Sequence, residues 1–371
     1  MNKIHFPNLN FLRFIAASLV IIHHTEQLKS IYGYPNIWNY KAVMLVGKLG
    51  VDLFFVLSGF LITTLLYEEK RQYLTISIKK FLLRRVFRIW PLYILIFIFA
   101  FFIAPHINFL QLGKPFVSPY PHWYANIFLY LTFFPHIQAF IFGPILYCSQ
   151  AWSIGIEENF YLMWPFLIDK VRTKKIVAFI IIYITIYILM MGIFLVLIKL
   201  HIDIKYHIAV FLGFFQNWLK FDCLFIGGLF GIYFEFFKTK IKLLTNKYFQ
   251  LLIYGTEIVL VITGADFYGF YWEVHALLYG LIIFNLVQPE TSIFNFEYSV
   301  FDYLGKISYG LYMYHFLLVN IAVKLFGHYN NPFILYPVIF ASVICIASAS
   351  YFTFEKYFLT LKIKYSRIKT G

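Results

Sequence analysis

The sequence predicts an all-α protein, a polytopic bundle of about ten transmembrane helices forming one domain over 1–371. Three observations carry this expectation. Hydrophobic residues make up 61% of the chain and charged residues only 13%, against about 25% charged in a soluble domain. Apolar runs of about 20 residues, the length of a membrane-crossing helix, recur along the whole chain. Aromatic residues reach 22%, with 46 Phe and 30 Tyr, and such rings fill helix interfaces and the headgroup layer.

The apolar segments fall at 9–25, 45–66, 86–104, 152–168, 176–198, 218–236, 248–264, 274–287, 304–326 and 333–355. No small-residue cleavage pattern follows the first, so it reads as a retained span rather than a signal peptide. Another apolar stretch, 123–147, is broken by Pro135, Gly143 and Pro144. It reads as an eleventh span or as a hairpin dipping into one leaflet.

Loop charge sets the orientation. Lys70, Arg71, Lys79, Lys80, Arg84, Arg85 and Arg88 follow the second span. The excess of Lys and Arg in cytoplasmic loops places this segment, and hence the N-terminus, inside. Further basic clusters run over Lys170–Lys175, Lys238–Lys247 and Lys356–Lys369. All fall on the same side only if 123–147 does not cross fully, which favours ten spans with both termini cytoplasmic. No linker or repeat suggests a second domain, and neither end reads as an appended soluble catalytic domain.

The net charge of +14 does not indicate nucleic acid. The basic residues occupy short loops, where they set topology. Cys148, Cys223 and Cys345 are scattered without a CxxC, which favours neither a metal site nor a disulfide framework.

Ionisable groups inside spans are costly and mark candidate sites. Arg13 and His24 lie eleven residues apart in the first span, about three helical turns. They share one face, about 16 Å apart along the axis. An anion-binding group toward the cytoplasm and a general base toward the outside then lie on a single stripe. Asp52 needs a partner in the second span, while Ser58 and Gly59 suit close helix packing as well as a site. Arg85 and Arg88 are neighbours at i and i+3. Their forked geometry suits phosphate, although arginines also belong at that edge for topology. Glu157 and Glu158 open an apolar helix on the side of His24. The helix dipole accounts for an acid there, but not for its aromatic setting. Lys220 and Asp222 read as a structural ion pair. Ser308, Tyr312 and His315 form one polar stripe that either lines a substrate path or joins helices.

Apart from Lys220 and Asp222, these residues occur in five blocks: LNFLRFIAASLVIIHH, GVDLFFVLSGFLI, RRVFRIWPLY, WSIGIEENFYLMWP and LGKISYGLYMYHF, in that order. On them the chain resembles the acyltransferase-3 family, bacterial inner-membrane enzymes that O-acylate, mostly O-acetylate, cell-surface polysaccharides. The resemblance implies acyl-CoA, usually acetyl-CoA, as donor, a carbohydrate as acceptor, and no metal. It implies His24 as the catalytic histidine. Arg13, Arg85 and Arg88 match the family's important arginines, and Glu157 its acidic position. Two departures concern the acceptor. Lys220 precedes Asp222 where the family has Arg-x-x-Asp, and Glu355-Lys356-Tyr357 replaces Glu-[Lys/Arg]-Pro. The hydrolase-like outer domain of some members has no counterpart, so the membrane-only form is expected.

The expected mechanism follows from both readings. Arg13, Arg85 and Arg88 hold the donor phosphates at the cytoplasmic face, and the pantetheine arm runs along the helix to His24. His24 acts as general base on an acceptor hydroxyl, with Glu157 orienting the imidazole. Asp52, Ser58, Glu158, Ser308, Tyr312 and His315 are candidates for acceptor contact or support. Direct transfer and an acyl-histidine intermediate both fit. Lipopolysaccharide, capsule, peptidoglycan and lipid-linked sugars all remain open as acceptors. A transporter or flippase is the competing class. It predicts two equivalent halves with Gly- or Pro-broken helices, a symmetry the sequence lacks.

Overall fold

A chain in lipid has to pair its backbone internally, and most of the described residues do so by helix. The computed structural model describes residues 4–112, 116–199, 220–237, 244–265, 267 and 270–368. Its helices are α1 (Leu9–Ile31), α2 (Lys41–Tyr73), α3 (Ile78–Ile98), α4 (Trp123–Leu131), α5 (Pro135–Phe142), α6 (Ala151–Lys170) and α7 (Thr173–Lys199). They continue with α8 (Phe221–Phe237), α9 (Lys247–Thr263), α10 (Tyr271–Leu286), α11 (Ser299–Lys306), α12 (Ser308–Phe326), α13 (Pro332–Ser350) and α14 (Lys356–Lys364). Among the described residues there is no strand, only one isolated bridge, Val117 to Ile145.

Among the described residues, five helical stretches are long and apolar enough to cross a membrane: 41–73, 78–106, 173–194, 308–329 and 332–364. The other expected segments are helical but differ in kind. With 23 and 20 residues, α1 and α6 are long, but polar residues interrupt them. Helices α8, α9 and α10 have 17, 17 and 16 residues, or about 24–26 Å against a core of about 30 Å. The stretch 123–147 is not one helix. It folds as α4 and α5, of 9 and 8 residues, each less than half the depth of a bilayer. Phe133 turns the chain between them with φ 61°, and Pro135 opens α5, where its missing N–H costs nothing. Gly143 ends α5 at φ 91°, a conformation that favours glycine.

Helix α2 is the hub, with α1 on one side and α8 on the other. Its most apolar stretch is 78% buried, whereas that of α7 is 22% buried, so α7 presents most of its surface to lipid. The α2–α8 crossing is tight because glycines meet there. A side chain on Gly59 would strike the Leu224 carbonyl, and one on Gly227 the Val56 carbonyl.

One end of the bundle gathers the basic loops. Lys70 Nζ donates to the Ile168 and Asp169 carbonyls at 2.6 and 2.9 Å. Arg71 pairs with Glu235 at 3.0 Å. Arg84 donates to the Tyr365 carbonyl at 3.0 Å, and Arg367 lies 3.5 Å from Glu69. The ends of α2, α6 and α8, the start of α3 and the segment after α14 therefore share one face, as the loop charges require. The expected cluster Lys238–Lys247 lies outside the described residues over 238–243.

Candidate active site

Helix α1 joins two polar centres through a buried apolar stretch that includes Ala16, Ala17, Val20 and Ile21. At the basic end, Arg13 donates to Asn10 Oδ1 at 2.9 Å. The first turns of α3 bring Arg85 and Arg88 alongside. Arg85 lies over the rings of Phe81 and Tyr161, at 5.2 and 5.3 Å from their centroids, and its Nε is buried without a hydrogen-bond partner. Arg88 donates to the Lys306 carbonyl at 3.2 Å and faces Glu355 at 3.9 Å. Glu355 reaches it because the chain passes from α13 to α14 through a π-helical turn, Tyr351–Glu355. Such wide turns re-aim side chains.

Arg13, Arg85, Arg88 and Glu157 are close enough for their charges to act on one another. Glu157 accepts a hydrogen bond from the Tyr161 hydroxyl at 2.9 Å, which in turn lies 2.7 Å from Ser58 Oγ. Glu158 points elsewhere and accepts from Trp90 Nε1 at 3.3 Å. Three guanidiniums against two nearby carboxylates, Glu157 and Glu355, leave a net cationic centre suited to phosphate.

At the other end, His24 lines a cavity of about 260 Å³ together with His23, Gln27, Lys48, Gln150 and Tyr312. That is near the lower edge of small-molecule pockets, about 300 Å³. It suits a thioester head and a hydroxyl rather than a nucleotide. His24 Nδ1 lies 2.8 Å from Gln27 Oε1. The His24 ring stacks on His315 at 5.1 Å and 30°, with the Phe316 ring edge-on at 5.0 Å. His315 Nδ1 is held by the Tyr312 carbonyl at 2.5 Å. The Tyr312 hydroxyl lies 2.8 Å from Ser153 Oγ and donates to the Gln150 carbonyl at 3.0 Å.

The structure brings together Arg13, Arg85 and Arg88, and separately His24, Tyr312 and His315. It does not bring Glu157 to His24, which corrects the expected orienting contact. Trp152 and Gln150 reach the cavity from α6. Glu157 is five residues beyond Trp152, about 8 Å along the axis toward the arginines. Gln27 occupies the expected place of Glu157. Its signal was the i, i+3 spacing from His24 on one helix. Asp52 also lies off the cavity. It faces Lys220 at 3.8 Å, so the salt bridge of Lys220 runs across to α2 rather than to Asp222. Ser58 serves Tyr161, and Ser308 is buried without lining the cavity. Among the described residues no group of three or more His, Cys, Asp or Glu is arranged to hold a metal. Cys148, Cys223 and Cys345 are free thiols.

A family model described as an acyltransferase domain matches residues 6–352. A Staphylococcus aureus (strain COL) protein provisionally named an O-acetyltransferase is 26% identical over 366 residues, covering 94% of this chain and 56% of its own. The O-acetyltransferase OatA of Staphylococcus aureus (strain NCTC 8325 / PS 47) is 24% identical over 368 residues, with the same coverages of 94% and 56%. The peptidoglycan O-acetyltransferase OatA of Listeria monocytogenes is 30% identical over 165 residues, covering 43% of this chain and 23% of its own. The chain thus spans about half the length of the Staphylococcus aureus relatives it matches. No solved structure matches it.

Proposed function

The chain belongs to the acyltransferase-3 family, and from that premise we propose that it moves an acetyl group from cytoplasmic acetyl-CoA to a saccharide hydroxyl across the bacterial inner membrane. The observation that carries this reading is the single helix α1, with Arg13 in a cationic centre at one end and His24 in a cavity at the other. The two residues are about 16 Å apart on one face. An extended pantetheine arm has roughly that reach.

In this reading the basic face of the bundle is cytoplasmic, by the excess of Lys and Arg there. Both termini lie on that side, and the chain crosses ten times with 123–147 as a re-entrant hairpin. Arg13, Arg85 and Arg88 hold the donor phosphates. Glu157, beside them, limits their mutual repulsion and fixes their positions through Tyr161. The thioester enters the cavity, an acceptor hydroxyl enters from outside, and His24 takes its proton as general base. The alkoxide attacks the thioester carbonyl. Peptidoglycan is the first acceptor to test, because the Listeria relative is named for it.

The test is isotopic. Cells with and without this chain are supplied with labelled acetate, and their surface glycans are weighed by mass spectrometry. A labelled acetyl increment that needs the chain and vanishes in His24→Ala supports the reading and identifies the acceptor. An unchanged glycan profile rejects saccharide O-acetylation.

A further inference from the structure

We propose that Gln27 is the positioning residue of the transfer base, fixing His24 as the tautomer whose Nε2 is unprotonated and directed at substrate. This rests on the reading of the chain as an acyltransferase. The geometry is direct: His24 Nδ1 lies 2.8 Å from Gln27 Oε1. An amide oxygen only accepts, so the hydrogen between them belongs to Nδ1. A neutral imidazole carries one N–H, which leaves Nε2 with its lone pair. Both side chains line the cavity, and in this proposal substrate meets that lone pair there.

The ring is held on its other sides as well. From α12, His315 stacks on it at 5.1 Å and Phe316 meets it edge-on at 5.0 Å. The titratable groups facing His24 are His23 beside it on α1, His315 and Tyr312 on α12, and Lys48 on α2. From α6 the cavity receives Gln150 and Trp152. None of these is a carboxylate, so the orienting group of this base is neutral.

That neutrality has a chemical consequence. In the step, the acceptor oxygen forms a bond to the thioester carbon as its proton passes to His24 Nε2. The carbon–sulfur bond then breaks. The departing thiolate takes the same proton from Nε2, and the imidazole returns to neutrality with no net proton gained or lost. A carboxylate on Nδ1 would hold the ring in its charged state. An amide orients it and lets the proton go.

The experiment uses membrane vesicles from cells expressing the full chain, with their endogenous glycans as acceptor and labelled acetyl-CoA as donor. Label that is released from glycan by alkali reports ester formation. Gln27→Leu is expected to lower kcat about 10- to 100-fold, within what a general base contributes, at unchanged KM for acetyl-CoA. Gln27→Glu, which still accepts from Nδ1 but holds the charged ring, restores part of kcat and moves the acidic limb of the pH–rate profile to higher pH. A residue with only a packing role gives neither the rescue nor the shift. Wild-type kcat and pH profile in Gln27→Leu overturn the proposal while leaving the function intact. If Gln27→Leu does not reach the membrane, an unshifted profile in Gln27→Glu overturns it instead. Wild-type vesicles that form no ester overturn the function itself, and this inference with it.

Discussion

Two polar centres lie one turn apart on α2, and their surroundings differ. Lys48 faces the cavity that holds His24 and Gln27. Asp52, the next residue on that side, is 1% exposed and packed against Lys220, itself 3% exposed. The Trp272 ring stands between them, 5.4 Å from Lys48 and 4.5 Å from Lys220. Beyond it, His275 is held by Glu257 at 2.8 Å inside the bundle. In the first centre, His23, His24 and Gln27 line a cavity. In the second, opposite charges face one another at 3.8 Å, and neither residue lines that cavity. A charge within the membrane is therefore a weak indicator of chemistry by itself. A polar side chain beside a void is the stronger one.

The contrast predicts two kinds of failure. The largest effect is expected from His24→Ala, with transfer reduced about 10²- to 10⁴-fold. Its thermal unfolding in detergent should match the wild type. A large fall in unfolding temperature would erase the distinction between the two centres. Next comes Lys220→Met, which leaves Asp52 buried opposite an apolar side chain. That costs about 3–5 kcal/mol, visible as a lower unfolding temperature and less protein in the membrane. Adding Asp52→Leu should recover much of the loss. A fully stable but inactive Lys220→Met would show that the second centre also serves the chemistry.

Smaller effects resolve the first centre from the cationic end of α1. Arg85→Ala is expected to raise KM for acetyl-CoA about 10- to 100-fold, the worth of one or two hydrogen bonds to a charged group. Dependence on acceptor should change little. Equal effects on donor and acceptor would return Arg85 to a purely topological role. Smallest is Tyr161→Phe, which removes the hydroxyl linking Ser58 to Glu157. About 1 kcal/mol is at stake, seen as a few-fold rise in donor KM at constant kcat.

The parts of this arrangement that follow local periodicity were legible in the sequence. Arg13 and His24 fall on one stripe by helical spacing alone, and the breakers Pro135, Gly143 and Pro144 marked 123–147 as either a span or a hairpin, of which the structure has two short helices. Contacts between distant segments were not legible. His315 meets His24 only because α12 packs on α1, and Lys220 finds Asp52 only through the α2–α8 crossing. Glu157 was expected beside His24 because the expected topology puts both toward the outer side of the membrane. The offset of about 8 Å within α6 depends on which turn of that helix meets the cavity. Gln27 had visible spacing, but an acid was the expected orienter, and an amide performs that task without charge.

The π-helical turn between α13 and α14 has a consequence for how the cationic end fills. By widening one turn of helix it supplies Arg88 with a tethered anion, Glu355. On the proposed function, a donor phosphate at Arg88 would enter by exchange with this carboxylate, and its affinity would be less sensitive to salt than at a bare guanidinium.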